Sequence, residues 1–61
     1  MMNYDDLPDL LITQEVAEIL RVDNLTIRRY IKAGKILAYK LPGGEFRIPK
    51  KEIEYLFGRK L

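Results

Sequence analysis

The chain has 61 residues, of which 33% are charged, and its formal net charge is +2. A chain of this length forms one domain that buries only about 60% of its unfolded surface, which leaves little room for a deep catalytic pocket. It contains no His, Cys or Ser, so an enzyme would have only carboxylates, Lys and Tyr as reactive groups. We therefore expect no enzyme, no bound metal and no cofactor.

The charges are unevenly distributed along the chain. Residues 1–23 carry one basic and six acidic side chains, a net charge of −5, whereas residues 24–61 carry ten basic and three acidic ones, a net charge of +7. Such asymmetry favours a polyanionic partner for the basic part, although charge alone is equally compatible with a solubilising role. The positions of the basic residues must therefore decide between the two.

The N-terminal residues 1–9 are acidic and contain Pro8, and we expect them to form a flexible leader. They lack the basic and apolar regions of a signal peptide. No stretch of the chain approaches the roughly 20 apolar residues of a membrane span. We expect a cytoplasmic protein with no membrane partner, in which residues 10–61 form a single domain.

The first predicted helix covers about residues 14–20. Thr13 is a suitable N-cap residue for it, because a threonine hydroxyl accepts a hydrogen bond from the first turn. Val16, Ile19 and Leu20 recur at helical spacing, which supplies one apolar face.

The second predicted helix covers about residues 24–33. Asp23 is its N-cap, and Gly34 stops it because glycine readily takes the positive φ that follows many helices. Asp23 stands only three residues after Leu20. A connection of that length is typical of a helix-turn-helix motif.

The second predicted helix has two different faces at about 100° per residue. The apolar side chains that would pack inward are Ile27, Tyr30 and Ile31. The opposite face carries Leu25, Arg28, Arg29 and Lys32. No acidic residue on this helix lies within a turn of either arginine, which favours a binding surface over a merely solvated face. Leu25 either covers part of the turn or contacts a thymine methyl group.

The hydrophobic period changes after the second helix. Residues 36–41 are apolar and aromatic, residues 45–48 alternate between polar and apolar, and Pro42, Gly43 and Gly44 between them are a strong turn signal. The pattern predicts a β-hairpin over about residues 37–48, whose tip at residues 41–47 forms a wing. Lys40 and Arg47 flank the tip on opposite strands.

A third helix is predicted at about residues 50–57, opened by Pro49 and ended by Gly58. The predicted fold class is α+β, mainly α: a winged helix-turn-helix with a two-stranded wing and a third helix. The predicted core consists of Ile12, Val16, Leu20, Val22, Ile27, Tyr30, Ile31, Ile36, Phe46, Ile48, Ile53, Leu56 and Phe57.

This order of elements predicts binding to duplex DNA. The second helix of a helix-turn-helix enters the major groove with its N-terminal residues nearest the base edges. Asn24 can bond adenine, and Arg28 and Arg29 can bond guanine, each through two hydrogen bonds. Lys32 and Lys35 lie further along the chain and suit phosphates. The bare tip at residues 43–44 can approach the backbone or enter a minor groove.

Residues 10–57 resemble the MerR-like winged helix-turn-helix group, especially the single-domain proteins of the phage excisionase type. The matching residues are Leu11, Thr13, Val16, Ala17, Leu20, Val22, Thr26, Ile27, Arg29, Ile31, Gly34, Lys35, Ala38, Lys40, Gly44, Arg47, Ile48 and Ile53. The resemblance implies that DNA is contacted by Asn24, Thr26, Arg28, Arg29 and Lys32 in the helix and by Lys40, Gly43, Gly44 and Arg47 in the wing. Arg21 stands where the pattern has Gly, which predicts a strained residue or a differently shaped turn.

One module of this size reads only a few base pairs, so useful specificity requires several copies. We expect a protein that is monomeric when free and binds short direct repeats cooperatively, head to tail, as an excisionase-like architectural factor or a small transcription regulator. An integrase or recombinase is a further candidate partner. No small-molecule effector is expected, because the effector-sensing members dimerise through a long helix beyond the position of Leu61. Two alternatives remain: the DNA-reading module of a recombinase or transposase, and a protein-binding adaptor.

Overall fold

The computed structural model describes residues 8–59, and the side chains of residues 8–56. This part of the chain folds into three helices and three short strands. In chain order these are β1 (Leu10–Leu11), α1 (Thr13–Leu20), α2 (Asn24–Lys32), β2 (Tyr39–Lys40), β3 (Phe46–Pro49) and α3 (Lys50–Arg59). None of these three helices is long and apolar enough to cross a bilayer. Most of the expected leader, residues 1–7, lies outside the described residues.

Helix α1 begins one residue earlier than predicted, at Thr13, and its N-cap is Ile12 rather than Thr13. Ile12 has no side-chain acceptor, so its own side chain cannot cap the helix. Instead, the Glu15 carboxylate accepts a hydrogen bond from the Ile12 N–H at 2.9 Å. This is the backward half of a capping box, and it also places negative charge where the helix dipole favours it.

The turn after α1 depends on Arg21, which adopts a left-handed backbone conformation with φ 60° and ψ 45°. The Val22 N–H donates to the Ala17 carbonyl at 2.9 Å, and the Arg21 N–H donates to the Glu18 carbonyl at 3.3 Å. This pair of hydrogen bonds is a Schellman motif, which usually has glycine at the left-handed position. Of the two outcomes predicted at Arg21, the structure shows the first, a non-glycine residue in the left-handed conformation that a glycine would favour.

Helix α2 has the predicted caps. The Asp23 carboxylate accepts from the Thr26 N–H at 2.8 Å. At the other end Lys32 is the last helical residue and Gly34 has φ 77°, so the helix ends one residue earlier than predicted. The Lys35 N–H bonds the Tyr30 carbonyl at 2.8 Å, which makes a second Schellman motif, here with glycine. The predicted three-residue helix-turn-helix connection is confirmed.

The three strands form one antiparallel sheet in the order β1-β3-β2. Tyr39 pairs with Arg47 and Lys40 with Phe46, which confirms the predicted hairpin. Strand β2 is shorter than predicted. The Leu37 N–H instead donates to Glu52 Oε1 of α3 at 2.8 Å, so it is not part of the ladder.

Strand β1 was not predicted from the sequence, because two residues are too few to show an alternating pattern. Leu10 pairs with Pro49 and Leu11 with Ile48. Strand β3 therefore has a partner on each side, and the wing is attached to a three-stranded sheet. A two-stranded hairpin alone would be marginally stable.

Helix α3 begins at Lys50 as predicted, directly after Pro49, which is the last residue of β3 rather than the first of the helix. The helix runs on to Arg59, so the expectation that Gly58 ends it is wrong. Glycine disfavours a helix interior by about 1 kcal/mol but does not prevent helix formation.

Among the side chains of residues 8–56, the core contains seven of the predicted residues and two that were not predicted. The buried hydrophobic residues are Leu11, Val16, Ala17, Ile27, Ile36, Phe46, Ile48, Ile53 and Leu56. Leu20, Tyr30 and Ile31 are partly buried against this cluster. The prediction was wrong for Ile12 and Val22, which are 40% and 38% exposed. Strand alternation turns Leu11 inward and leaves its neighbour Ile12 outside. The predicted core residue Phe57 lies outside the described side chains.

We predict that Arg21→Gly stabilises the protein. Glycine removes a left-handed strain of about 1–2 kcal/mol but has a larger backbone entropy in the unfolded chain, so the free energy of unfolding should rise by about 0.5–1 kcal/mol. Urea denaturation measures the change.

Gly34→Ala, at the equivalent position after α2, is the matched control and should destabilise by about 1 kcal/mol. Among the described residues, apart from Gly34 and its two chain neighbours, no heavy atom lies within 4 Å of a Cβ built at Gly34, so the loss would reflect backbone strain and not a clash. Destabilisation by Arg21→Gly would show that the arginine side chain is needed in the turn.

We predict an acid-sensitive contribution from the α2 N-cap. Hydrogen bonds from Thr26, first from its side chain and then from its backbone, lower the pKa of Asp23, and the nearby Arg29 lowers it further. Because the folded pKa is depressed, the stabilisation is complete above the unfolded value of about 3.9 and is lost as the pH falls through the folded pKa.

Asp23→Asn keeps a capping acceptor but removes the titration, so its stability should fall less steeply with acid in urea denaturation series at different pH. Asp9→Asn, which changes an exposed aspartate outside the helix caps, is the control. Identical acid profiles for wild type and Asp23→Asn would contradict the assignment.

Candidate nucleic-acid interface

Helix α2 presents the face that its sequence predicts. Ile27 is fully buried, and Tyr30 and Ile31 are partly buried against the core. The opposite side chains are all exposed: Leu25, Arg28, Arg29 and Lys32. Leu25 is 54% exposed, so about half of its surface is accessible to a ligand. This face combines positive charge with one accessible apolar side chain.

The Arg28 guanidinium lies over the ring of Phe46, with Cζ 5.3 Å from the ring centroid. Phe46 is the first residue of β3 and is 9% exposed. A cation above an aromatic face is attracted by the negative potential of the ring. This contact connects α2 with the base of the wing. From the sequence, Phe46 was predicted only as a core residue, and nothing in its spacing indicates that the ring also supports Arg28.

Neither Arg28 nor Arg29 forms an ion pair with a carboxylate within residues 8–59. The two arginines nevertheless have different surroundings. Arg29 is close enough to Asp23 to lower the pKa of that carboxyl group. Arg28 is adjacent to an aromatic ring. Their positive charges are thus available to a ligand, with that of Arg29 partly offset by the cap.

Thr26 has a local structural role in the free protein. It is half-buried, and its backbone N–H and its hydroxyl both interact with Asp23. The backbone bond satisfies one of the N–H groups at the start of α2 that would otherwise lack a partner.

A groove of about 250 Å³ lies where the N-terminal ends of α1 and α2 meet the wing. Its lining includes three of the predicted site residues: Asn24, Arg28 and Arg47. The other lining residues are Ile12, Thr13, Gln14, Glu45 and Phe46. The fold therefore brings together basic and amide side chains that are widely separated in the sequence.

The tip of the wing is narrow and open. The Gly44 N–H donates to the Leu41 carbonyl at 2.8 Å, and the Leu41 N–H donates to the Glu45 carbonyl at 2.7 Å. Pro42 at the second position favours this turn, and Gly44 has φ 92°, which few other residues adopt. A Cβ built at Gly43 or Gly44 would have no described heavy atom within 4 Å apart from those of the glycine and its two chain neighbours. A ligand backbone can therefore approach the tip closely.

The two basic residues beside the tip differ in how firmly they are held. Arg47 Nη1 donates to its neighbour's carbonyl, that of Phe46, at 3.0 Å and lies 3.9 Å from Glu45 Oε2. Lys40 is exposed and pairs with Phe46 in the hairpin register. Directly paired residues share a face of the sheet, so Lys40 lies on the same face of the hairpin as the ring below Arg28.

The remaining predicted residues lie at the other end of α2. Lys32 is exposed on the last turn, and the Lys35 Nζ is 5.5 Å from the centroid of the Tyr30 ring. The predicted site residues therefore form two groups, one around the N-terminal end of α2 and the wing, the other around its C-terminal end.

Residues 10–60 match the family described as a helix-turn-helix domain. No curated protein matches the chain. The match covers most of the sequence, and its range contains every element of the fold described above, including the three-residue turn between α1 and α2. The chain belongs to the helix-turn-helix domain family.

Proposed function

We propose that this protein binds double-stranded DNA sequence-specifically and without catalysis, with α2 in the major groove and the wing on the backbone or in the minor groove. The observation that carries the proposal is the exposed basic face of α2, on which neither Arg28 nor Arg29 is neutralised by an ion pair within residues 8–59. Family membership supports DNA as the ligand. The nine residues of α2 measure about 14 Å along the axis, and an α-helix of ordinary diameter fits the major groove, which is about 12 Å wide.

The residues of the interface have distinct proposed roles. Asn24 and Arg28, near the start of α2, contact base edges, while Arg29, Lys32 and Lys35 bind phosphates. Thr26 contributes to binding indirectly, because its hydrogen bond to Asp23 holds the first turn of α2 in place.

The wing contacts the DNA backbone through its tip and through Lys40. Gly43 and Gly44 supply backbone groups at a place where no side chain obstructs the approach. One N–H of the Arg47 guanidinium is used by the Phe46 carbonyl. A guanidinium has five N–H donors, so others remain for a phosphate.

The biological role we propose is that of an excisionase-like architectural factor or a small MerR-like transcription regulator. The sequence resemblance supports both roles. Because one small module reads few base pairs, we propose that copies bind short direct repeats cooperatively, head to tail, and are monomeric when free. The net charges of −5 on residues 1–23 and +7 on residues 24–61 would attract neighbouring copies in that arrangement. An integrase or recombinase bound beside them is a further proposed partner.

A protein-binding adaptor is the second candidate, and a specific surface favours it. A groove of about 430 Å³ beside α3 is lined in part by Ile31, Leu37 and Tyr55. Leu37 and Tyr55 are 64% and 56% exposed, and exposed apolar groups of this kind mark many interaction sites. An adaptor would retain its function when the arginines of α2 are replaced, which separates the two candidates.

We predict that Arg28→Ala and Arg29→Ala each weaken binding to a selected duplex by about 1–3 kcal/mol, because each removes a charged contact in or beside the groove. Fluorescence anisotropy with labelled duplexes at two salt concentrations measures the affinity and its salt dependence. The wild-type affinity should fall steeply with salt, since phosphate binding releases counterions.

Lys51→Ala is the matched control, because it removes one positive charge from α3, outside the proposed interface. It should leave the affinity nearly unchanged. Wild-type protein that does not bind duplex DNA at low ionic strength would overturn the proposed function.

We predict cooperative binding to DNA that carries several direct repeats. Band-shift titrations should compare a duplex with one site and a duplex with three. On the three-site duplex, the fully occupied complex should form without populated intermediates and at a lower protein concentration than the complex on the one-site duplex. Inserting half a helical turn of DNA between the repeats should abolish this cooperativity, because neighbouring copies would then lie on opposite sides of the duplex. Independent occupancy of each site would contradict head-to-tail association without contradicting DNA binding.

A further inference from the structure

The two adjacent arginines of α2 are held differently, and Phe46 makes the difference. The Arg28 Cζ lies 5.3 Å from the centroid of the Phe46 ring. No ring contact is found for Arg29 within the described residues. Arg28 belongs to α2 and Phe46 to β3, so the contact exists only when the wing is folded against α2.

An aromatic ring orients a guanidinium without using its hydrogen-bond donors. An exposed arginine populates many rotamers, and ordering it on binding has an entropic cost. Stacking restricts those rotamers beforehand and leaves the five N–H groups available for a ligand. A carboxylate partner would orient the side chain equally well, but it would occupy donors and offset the charge.

The ring is itself fixed. Phe46 is 9% exposed and begins the central strand of the sheet, and its neighbour on the same face of β3, Ile48, is fully buried. Lys40 lies opposite Phe46 across the hairpin. Phe46 therefore cannot shift without displacing the wing, and the position of Arg28 is tied to that of the wing.

We propose that Phe46 is a positioning residue for sequence discrimination. Its ring holds the Arg28 guanidinium ready for the two parallel hydrogen bonds that guanine accepts in the major groove. Arg28 then discriminates between base sequences, whereas Arg29 adds affinity for any duplex. This inference rests on the proposed DNA-binding function. It assigns different roles to Arg28 and Arg29, which the sequence pattern of the helix does not distinguish.

The test is a double-mutant cycle on folded protein, with Phe46→Leu, Arg28→Ala and the two combined. Phe46→Leu keeps an apolar side chain but removes the ring. The readout is the ratio of affinities for a selected and a random duplex of equal length. Phe46→Leu should lower this ratio about three- to tenfold, the size of a cation–π contact, and leave random-duplex affinity unchanged.

The other variants separate positioning from a structural role. Phe46→Tyr keeps the ring and should retain the ratio. In the Arg28→Ala background, Phe46→Leu should have no further effect. Arg29→Ala should weaken selected and random binding equally. If Phe46→Leu lowers both affinities alike, or still lowers the ratio without Arg28, then Phe46 is merely structural and the inference is overturned.

A measurement on the wild-type protein covers the case in which Phe46→Leu does not fold. The ring current of Phe46 should shift the side-chain proton resonances of Arg28 upfield relative to those of Arg29 in NMR spectra, and Phe46→Tyr should preserve the shift. Equal resonance positions for the two arginines would overturn the inference. Failure of the wild-type protein to bind any duplex would instead overturn the proposed function, so the two failures are distinguishable.

Discussion

The structure depends above all on the burial of strand β3. Its side chains Phe46 and Ile48 enter the core, and its backbone pairs with β1 on one side and β2 on the other. Strand β2 has only two residues, and such a short hairpin would not persist in water without this support. The same burial presents one face of the Phe46 ring to Arg28. The position of the wing and the orientation of a basic side chain on α2 thus have a common origin in one packed strand.

The relative placement of the two helices depends on the turn between them as well as on the buried side chains that they share, Val16, Ala17 and Ile27. Both α1 and α2 end in the same motif, with Arg21 and Gly34 at the left-handed positions. Only at Gly34 does the residue suit the conformation. The strain at Arg21 is tolerated because the turn it forms brings Asp23 to the start of α2, where the carboxylate caps the helix.

Much of the fold was predictable from local patterns. The spacing of Leu20 and Asp23 defined the turn, and Ile27, Tyr30 and Ile31 identified the inward face of α2. Pro42 with two glycines located the hairpin tip. The prediction failed where local residue types are ambiguous. Leu11 and Ile12 are both apolar, and which of them is buried depends on the pairing of Leu11 with Ile48. That pairing joins distant parts of the chain.

The sequence by itself determined where the basic side chains lie on one side of a helix, which aspartate caps that helix and where the glycine turn falls, because helical and strand periodicities are local properties. The tertiary structure alone decided how those residues differ. Arg28 lies over Phe46, Arg29 lies near Asp23, and Arg47 bonds its own strand. Contacts between α2 and β3 depend on how the two elements pack together, and no periodicity along the chain records that packing.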